Sequence, residues 1–191
     1  MSKKQQIESL AARHEKTILD VSARIWEFAE PGMKEYKSAD CYAQVLRDNG
    51  FAVETGVSGI PTAVIGTWGS GRPVIGFLGE FDALPGLSQK AACPEHCELV
   101  PGAYGQGCGH NNLGAGALGA AFILRDYLKE TGKSGTVRFY GCPGEEYGSG
   151  KVFMARDGLF SDLDACLTWH PGDNNHVVGT GSLANISAFF I

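Results

Sequence analysis

Residues 73–86 read PVIGFLGEFDALPG, and the fold follows from how that stretch is built. Val74 to Leu78 is a nearly continuous apolar run, the pattern of a strand covered on both faces rather than one with a wet side. Two carboxylates, Glu80 and Asp82, follow it directly, and Pro85-Gly86 then turns the chain. A buried strand that ends in acidic residues and a turn belongs in an open α/β sheet. There, functional groups collect in the loops at the carboxyl ends of strands.

Outward from this strand the elements alternate. On its N-terminal side, Leu10, Ile18, Val21, Ile25 and Phe28 fall near helical spacing between Gln6 and Ala29, and Pro31-Gly32 ends the pattern. Ser38 reads as the N-cap of a second helix through Arg47, stopped by Asn49-Gly50. FAVET and TAVIGTW are short β-type runs. On the C-terminal side a Gly- and Pro-rich loop spans roughly 85–109, then a helix from Asn112 to Glu130, the strand GTVRFYG, a helix from about Gly150 to Arg156 and the strand DACLTWH. The order α-α-β-β-β-α-β-α-β predicts a layered α/β domain with helices covering a mixed sheet.

Composition narrows the function class. The chain has 191 residues and is 43% apolar, enough for a substantial core. A net charge of −5 gives no reason to expect a nucleic-acid partner. No apolar run reaches the length of a membrane span, and the polar N-terminus lacks the apolar centre of a signal peptide, so a cytoplasmic location is expected. The six cysteines are then expected to be reduced, with Cys41, Cys142 and Cys166 as buried thiols. The 27 glycines cluster at strand ends, where backbones turn sharply or approach a ligand.

Four strand-end loops carry the chemistry. They are GEFDALPG with Glu80 and Asp82, GCGHNN with Cys108 and His110, CPGEEYGSG with Glu145 and Glu146, and TWHPGD with His170 and Asp173. Thiolate, imidazole and carboxylate are the donors that zinc prefers, and manganese accepts the nitrogen and oxygen ones. Adjacent glutamates can divide labour, one holding metal while the other acts as general base. Each piece alone has a plainer reading: a structural thiol with a capping histidine, a solvated helix start, a turn aspartate, a hydrogen-bonded loop histidine. Their conjunction at four strand ends favours a metal site. His14 reads as a surface residue and His176 stays unassigned. A rival use of CPEHC, with Cys93, His96 and Cys97 joined by Cys108, would be a structural zinc clip. GCGHNNLGAG lacks the Lys-Ser/Thr of a phosphate cradle.

In order, GEFDALPGLSQKA, GCGHNNLG, VRFYGCPGEEYGSGK, TWHPG and LANI resemble the metal-dependent amidohydrolase and aminoacylase peptidases, most closely the branch of aminobenzoyl-glutamate hydrolases and dipeptidase-like proteins. The resemblance implies a three-layer α/β/α catalytic domain with a mixed sheet, of the zinc-peptidase type. It implies two divalent ions, Zn2+ or Mn2+, with Cys108, His110, Glu146 and His170 as ligands and Glu145 as the base that activates water. Asp82 would orient a ligand from behind. Many family members carry a histidine ligand where this chain has Glu80, so the resemblance assigns Glu80 no ligand role. The implied substrate is a small N-acyl or N-aroyl amino acid or a dipeptide.

TGSLANISAFFI reads as a strand from Leu183 that stops at Ile191. Against the family pattern, residues 1–181 would be the catalytic domain and 182–191 the first strand of a lid and dimerisation domain, leaving the catalytic domain incomplete at the C-terminus. A homodimer or hetero-oligomer is expected of the full-length parent. A final metal-binding histidine would lie beyond this sequence, so the chain alone is expected to be inactive. The alternative function is that of a non-catalytic metal-binding fragment or pseudoenzyme.

Overall fold

A computed structural model describes residues 2–148, 150–174 and 177. The helices are α1 (Lys3–Phe28), α2 (Tyr36–Asp48), α3 (His110–Thr131) and α4 (Gly150–Arg156), and the strands are β1 (Ala52–Thr55), β2 (Val64–Ser70), β3 (Val74–Gly79), β4 (Gly135–Gly141) and β5 (Ala165–Leu167). The predicted element order holds. The expected strand from Leu183, and with it His176, falls outside the described residues.

The five strands form one mixed sheet in the order β1-β2-β4-β3-β5. β1 and β2 run antiparallel, as do β2 and β4, whereas β3 lies parallel to both β4 and β5. The chain therefore leaves β3 for one neighbour and later returns to its other side. Parallel crossovers are right-handed, so those two opposite moves place their helices on opposite faces. Packing agrees. Val64, Phe77, Val137 and Phe139 point toward α1, α2 and α3. Their sequence neighbours Ile65, Leu78 and Tyr140 point the other way, to Met154 of α4 and to Leu159, Phe160 and Leu163. The two sides of β3 are covered, as its apolar run requires. This gives the three layers and makes β3 the strand where the winding reverses.

Local chemistry shifts several boundaries. α1 starts at Lys3, earlier than its apolar spacing indicates, because Ser2 and Gln5 form a capping box. Ser38 is not an N-cap. It is buried inside α2, and the Glu30 carboxylate accepts from the Lys37 and Ser38 N–H groups and the Ser38 hydroxyl at 2.8–3.0 Å. The orphan donors of that helix start are met by an upstream side chain. α3 begins at His110 rather than Asn112. Gly109 takes the left-handed conformation at φ 78°, and Gln106 Oε1 accepts from Asn111 N at 3.1 Å.

Three other expectations change. His14 is not a surface residue: its Nε2 lies 2.7 Å from Asp126 Oδ2 and its ring packs on Phe122, because α1 lies along α3. Cys41 and Cys142 are buried thiols, but Cys166 is exposed, on a strand whose described neighbour is β3 alone. β5 is shorter than DACLTWH predicted. Its entry is fixed by Asp164, which accepts from Val74 N at 2.7 Å and from Arg72.

Small residues let α3 lie close over the end of β3. A Cβ at Gly114 would collide with the Tyr42 hydroxyl and stand 2.6 Å from the Glu80 carbonyl oxygen. Because one obstacle is backbone, the helix itself must move. Gly114→Ala is expected to destabilise the fold by about 1–3 kcal/mol. Thermal unfolding checks it, and an unchanged midpoint would refute the close approach.

Candidate metal centre

The carboxyl ends of β3, β4 and β5 lie at one edge of the sheet because the three strands are parallel. Each delivers functional groups there: Glu80 and Asp82 after β3, Glu145 and Glu146 in a short turn after β4, and His170 after β5. α3 contributes His110 in its first turn, with Cys108 just before it. All four predicted loops meet, at the strand where the winding reverses.

His110 is the hub and is fully buried. Its Nδ1–H donates to Asp82 Oδ1 at 2.9 Å and to the Asp82 carbonyl at 3.1 Å. That leaves Nε2 aimed at three carboxylates: Glu80 Oε2 at 3.2 Å, Glu145 Oε2 at 3.8 Å and Glu146 Oε1 at 3.9 Å. Neither Nε2 nor Glu146 Oε1 has a hydrogen-bond partner, although both are buried. On the other side, Cys108 Sγ lies 3.2 Å from His170 Nε2, and His170 Nδ1–H donates to the Pro171 carbonyl. Both histidines are thus held with Nδ1 protonated and Nε2 turned into the site, unpartnered in His110 and facing the Cys108 sulfur in His170, the arrangement of a metal-ligating imidazole.

The donors fall into two groups that share His110. Cys108, His110 and His170 offer atoms within 4.8 Å of one another, as do Glu80, His110 and Glu145. Two donors about 2 Å from one ion are at most about 4 Å apart, so the orphaned Nε2–Oε1 pair and the Sγ–Nε2 pair both suit a cation between them. The residues present fit a divalent-metal site. The rival clip of Cys93, His96, Cys97 and Cys108 does not assemble among the described residues, since Cys108 is turned toward His170 and His110. Asp173 joins neither group.

Electrostatics points the same way. Burial would lower the His110 pKa, but the Asp82 hydrogen bond and the charges of Asp82, Glu80 and Glu146 together raise it. Surroundings that hold a proton on this imidazole also attract a metal cation. The Cys108 thiol is pushed up to about 12, first by burial and then by Glu146 and the other carboxylates. Without a cation this sulfur stays protonated, and binding one would release that proton.

Two supporting residues escaped the sequence reading. Lys151 pairs with Glu80 inside the cluster. A lysine in the first turn of a helix opposes the helix dipole, and that mismatch was visible in GSGK. Glu35, fully buried, accepts from Gly144 N at 2.7 Å and from the Thr62 hydroxyl at 2.9 Å, pinning the loop that carries Glu145. Burial pushes its carboxyl above the usual value against those bonds. Glu35→Ala would strand both donors and is expected to cost about 2–3 kcal/mol in denaturant unfolding. A loss well below 1 kcal/mol would show that the loop is held by other contacts.

Comparison with known proteins agrees with this geometry. The pattern of Peptidase family M20/M25/M40 matches residues 76–184. Over 169 residues, 88% of this chain and 35% of the relative, the sequence is 50% identical to a p-aminobenzoyl-glutamate hydrolase subunit of Escherichia coli K12. It is 32% identical to thermostable carboxypeptidase 1 of Saccharolobus solfataricus over 160 residues, 80% of this chain and 38% of the relative. The chain thus spans little more than a third of the length of these curated relatives. Among solved structures, a dinuclear metal binding peptidase of the M20 family from Bacillus subtilis superposes with a TM-score of 0.65 at 21% identity, over 83% of this chain and 42% of that one. At that identity the likeness is one of fold.

Proposed function

The chain belongs to peptidase family M20/M25/M40, and from that we propose that its protein hydrolyses the amide bond of small N-acyl or N-aroyl amino acids or dipeptides, aminobenzoyl-glutamate-like compounds among them. The observation that carries this reading is the buried His110 imidazole, its Nε2 unpartnered, on which carboxylates from two strand ends converge. Cys108, His110, Glu146 and His170 would hold two divalent ions, Zn2+ or Mn2+. When bound, such ions polarise an amide carbonyl and make water acidic enough to attack at neutral pH.

The chain's own residues do the rest. Asp82 Oδ1 keeps the proton on His110 Nδ1 so that Nε2 stays a donor, and Asp82 Oδ2 accepts from Glu146 N at 3.0 Å, which fixes the neighbouring glutamate. The Glu145 side chain is 39% exposed, so it can meet solvent and substrate. Its carboxylate would take a proton from the attacking water and pass it to the leaving amine nitrogen. Burial first, then the charge of Glu80, raises its pKa, as suits a group that must carry a proton for part of the cycle.

The partner reading stays with a small-molecule substrate and a homodimer or hetero-oligomer. The Escherichia coli relative is by its name one subunit of a hydrolase. None of the described helices is long and apolar enough to cross a membrane. A cytoplasmic location is proposed with it.

Elemental analysis of the purified chain tests the reading. Close to two zinc or manganese ions per chain are expected, with Cys108→Ala reducing the content, and aminobenzoyl-glutamate is the first substrate to assay with the full-length protein. A chain that takes up neither metal, even when titrated with it, would sink the proposal.

A further inference from the structure

Glu80 is the residue the family resemblance leaves without a role, yet of the three carboxylates that face His110 Nε2 it stands closest. Its Oε2 lies 3.2 Å from His110 Nε2, nearer than either Glu145 or Glu146. The contact is not a hydrogen bond, since Nε2 has no such partner. The other oxygen, Oε1, accepts from Lys151 Nζ. Both partners are mostly buried, with side-chain exposures of 9% for Glu80 and 26% for Lys151. They come from elements far apart in sequence, the end of β3 and the first turn of α4, on opposite sides of the loop that carries Glu145.

We infer that Glu80 and Lys151 form a paired donor element of this centre: Lys151 occupies one carboxylate oxygen and thereby presents the other to a divalent cation beside His110 Nε2. The inference rests on the metal-site reading above and adds a ligand to it. A carboxylate that binds a metal through one oxygen is commonly steered by a partner on the other, as ligating histidines are steered through their second nitrogen. Here Asp82 steers the imidazole and Lys151 steers the carboxylate, so both donor atoms are aimed before any cation arrives. Charge supports the division. Glu80, Asp82, Glu145 and Glu146 crowd one imidazole, and each added carboxylate raises the cost of folding without metal. The ammonium neutralises the Glu80 charge, so the fifth donor adds no net repulsion. Its attachment to Oε1 also keeps it off Oε2 and Nε2. Glu80 Oε2 and His110 Nε2, 3.2 Å apart, already stand within the reach of one cation, with the Glu145 carboxylate beside them.

The test is cation binding by the 191-residue chain after chelation, with Co2+ as an optical probe and Zn2+ by calorimetry. Glu80→Gln keeps the shape but weakens the donor. It is expected to lower affinity at one of the two positions by at least about tenfold and to change the Co2+ visible band. Lys151→Gln is expected to lower affinity by about tenfold, and Lys151→Arg to restore most of it. Circular dichroism confirms folding. If Glu80→Gln does not fold, the two Lys151 variants decide by the same readout. Wild-type affinity and an unchanged Co2+ spectrum in Glu80→Gln, or in Lys151→Gln where that variant decides, would reduce the pair to a strut between β3 and α4 and overturn the inference alone. A wild-type chain that binds no cation would overturn the inference and the proposed function together.

Discussion

On the proposed function, Glu145→Ala in the full-length protein is expected to lower the rate of amide hydrolysis by about 10²–10⁴-fold, the usual contribution of a general base, while leaving metal content close to that of the unaltered protein. The two adjacent glutamates are in different physical situations, and the prediction follows from that difference. Glu146 has a buried carboxylate oxygen without a partner, and its backbone N–H is tied to Asp82, so it is fixed in place and short of one interaction. A cation would supply the missing interaction. Glu145 is more exposed, and its raised pKa comes from burial and from the nearby Glu80. It is placed to exchange protons with solvent and substrate. Parallel measurement of rate and bound metal separates the roles. If Glu145→Ala loses metal in step with activity, Glu145 is a ligand and the base must be sought elsewhere. Glu146→Ala should show the reverse pattern, losing metal first.

The parts of this molecule that were legible in the sequence are those set by local periodicity and by strand ends. A nearly continuous apolar run marked β3 as covered on both faces, and the element order gave the layers. The four loops could be placed at one edge because parallel strands end together. What was missed depends on contacts between distant residues. Ser38 looked like an N-cap, but the Glu30 carboxylate took that place from outside the helix. His14 looked exposed until α1 was laid against α3. Glu35 and Lys151 looked like ordinary charged residues, and each acquires its meaning from a partner more than 70 positions away. Lys151 gave one hint, a cation at the wrong end of a helix. Glu35 gave none, because a carboxylate just before a helix is an unremarkable choice.

His110→Ala should have the largest effect on metal binding, since His110 is the residue that both donor groups share. The imidazole's one free lone pair, on Nε2, can hold a single cation, so that position should empty outright. The other should weaken as the neighbouring donors lose their common support, where loss of Cys108 alone should disturb one. The variant also removes the partner of the buried Asp82 carboxylate, which costs about 3–5 kcal/mol and invites the objection that the fold has simply failed. Asp82→Asn answers that objection. Asp82 must accept twice, from His110 Nδ1–H through Oδ1 and from Glu146 N–H through Oδ2. Asparagine has one acceptor to give. If its NH2 faces Glu146, two donors oppose each other and the Glu146 loop shifts. If it faces His110, Nδ1 must accept, the proton moves to Nε2, and the imidazole can no longer bind a cation. Either orientation leaves the volume almost unchanged and damages the centre, so a folded Asp82→Asn chain should bind metal about 10–100-fold more weakly. Calorimetric titration with Zn2+, paired with a thermal melt, reads both quantities. Full metal affinity in a folded Asp82→Asn protein would mean that the Asp82 carbonyl alone, 3.1 Å from Nδ1, sets the tautomer, and that the carboxylate serves only to anchor the Glu146 turn.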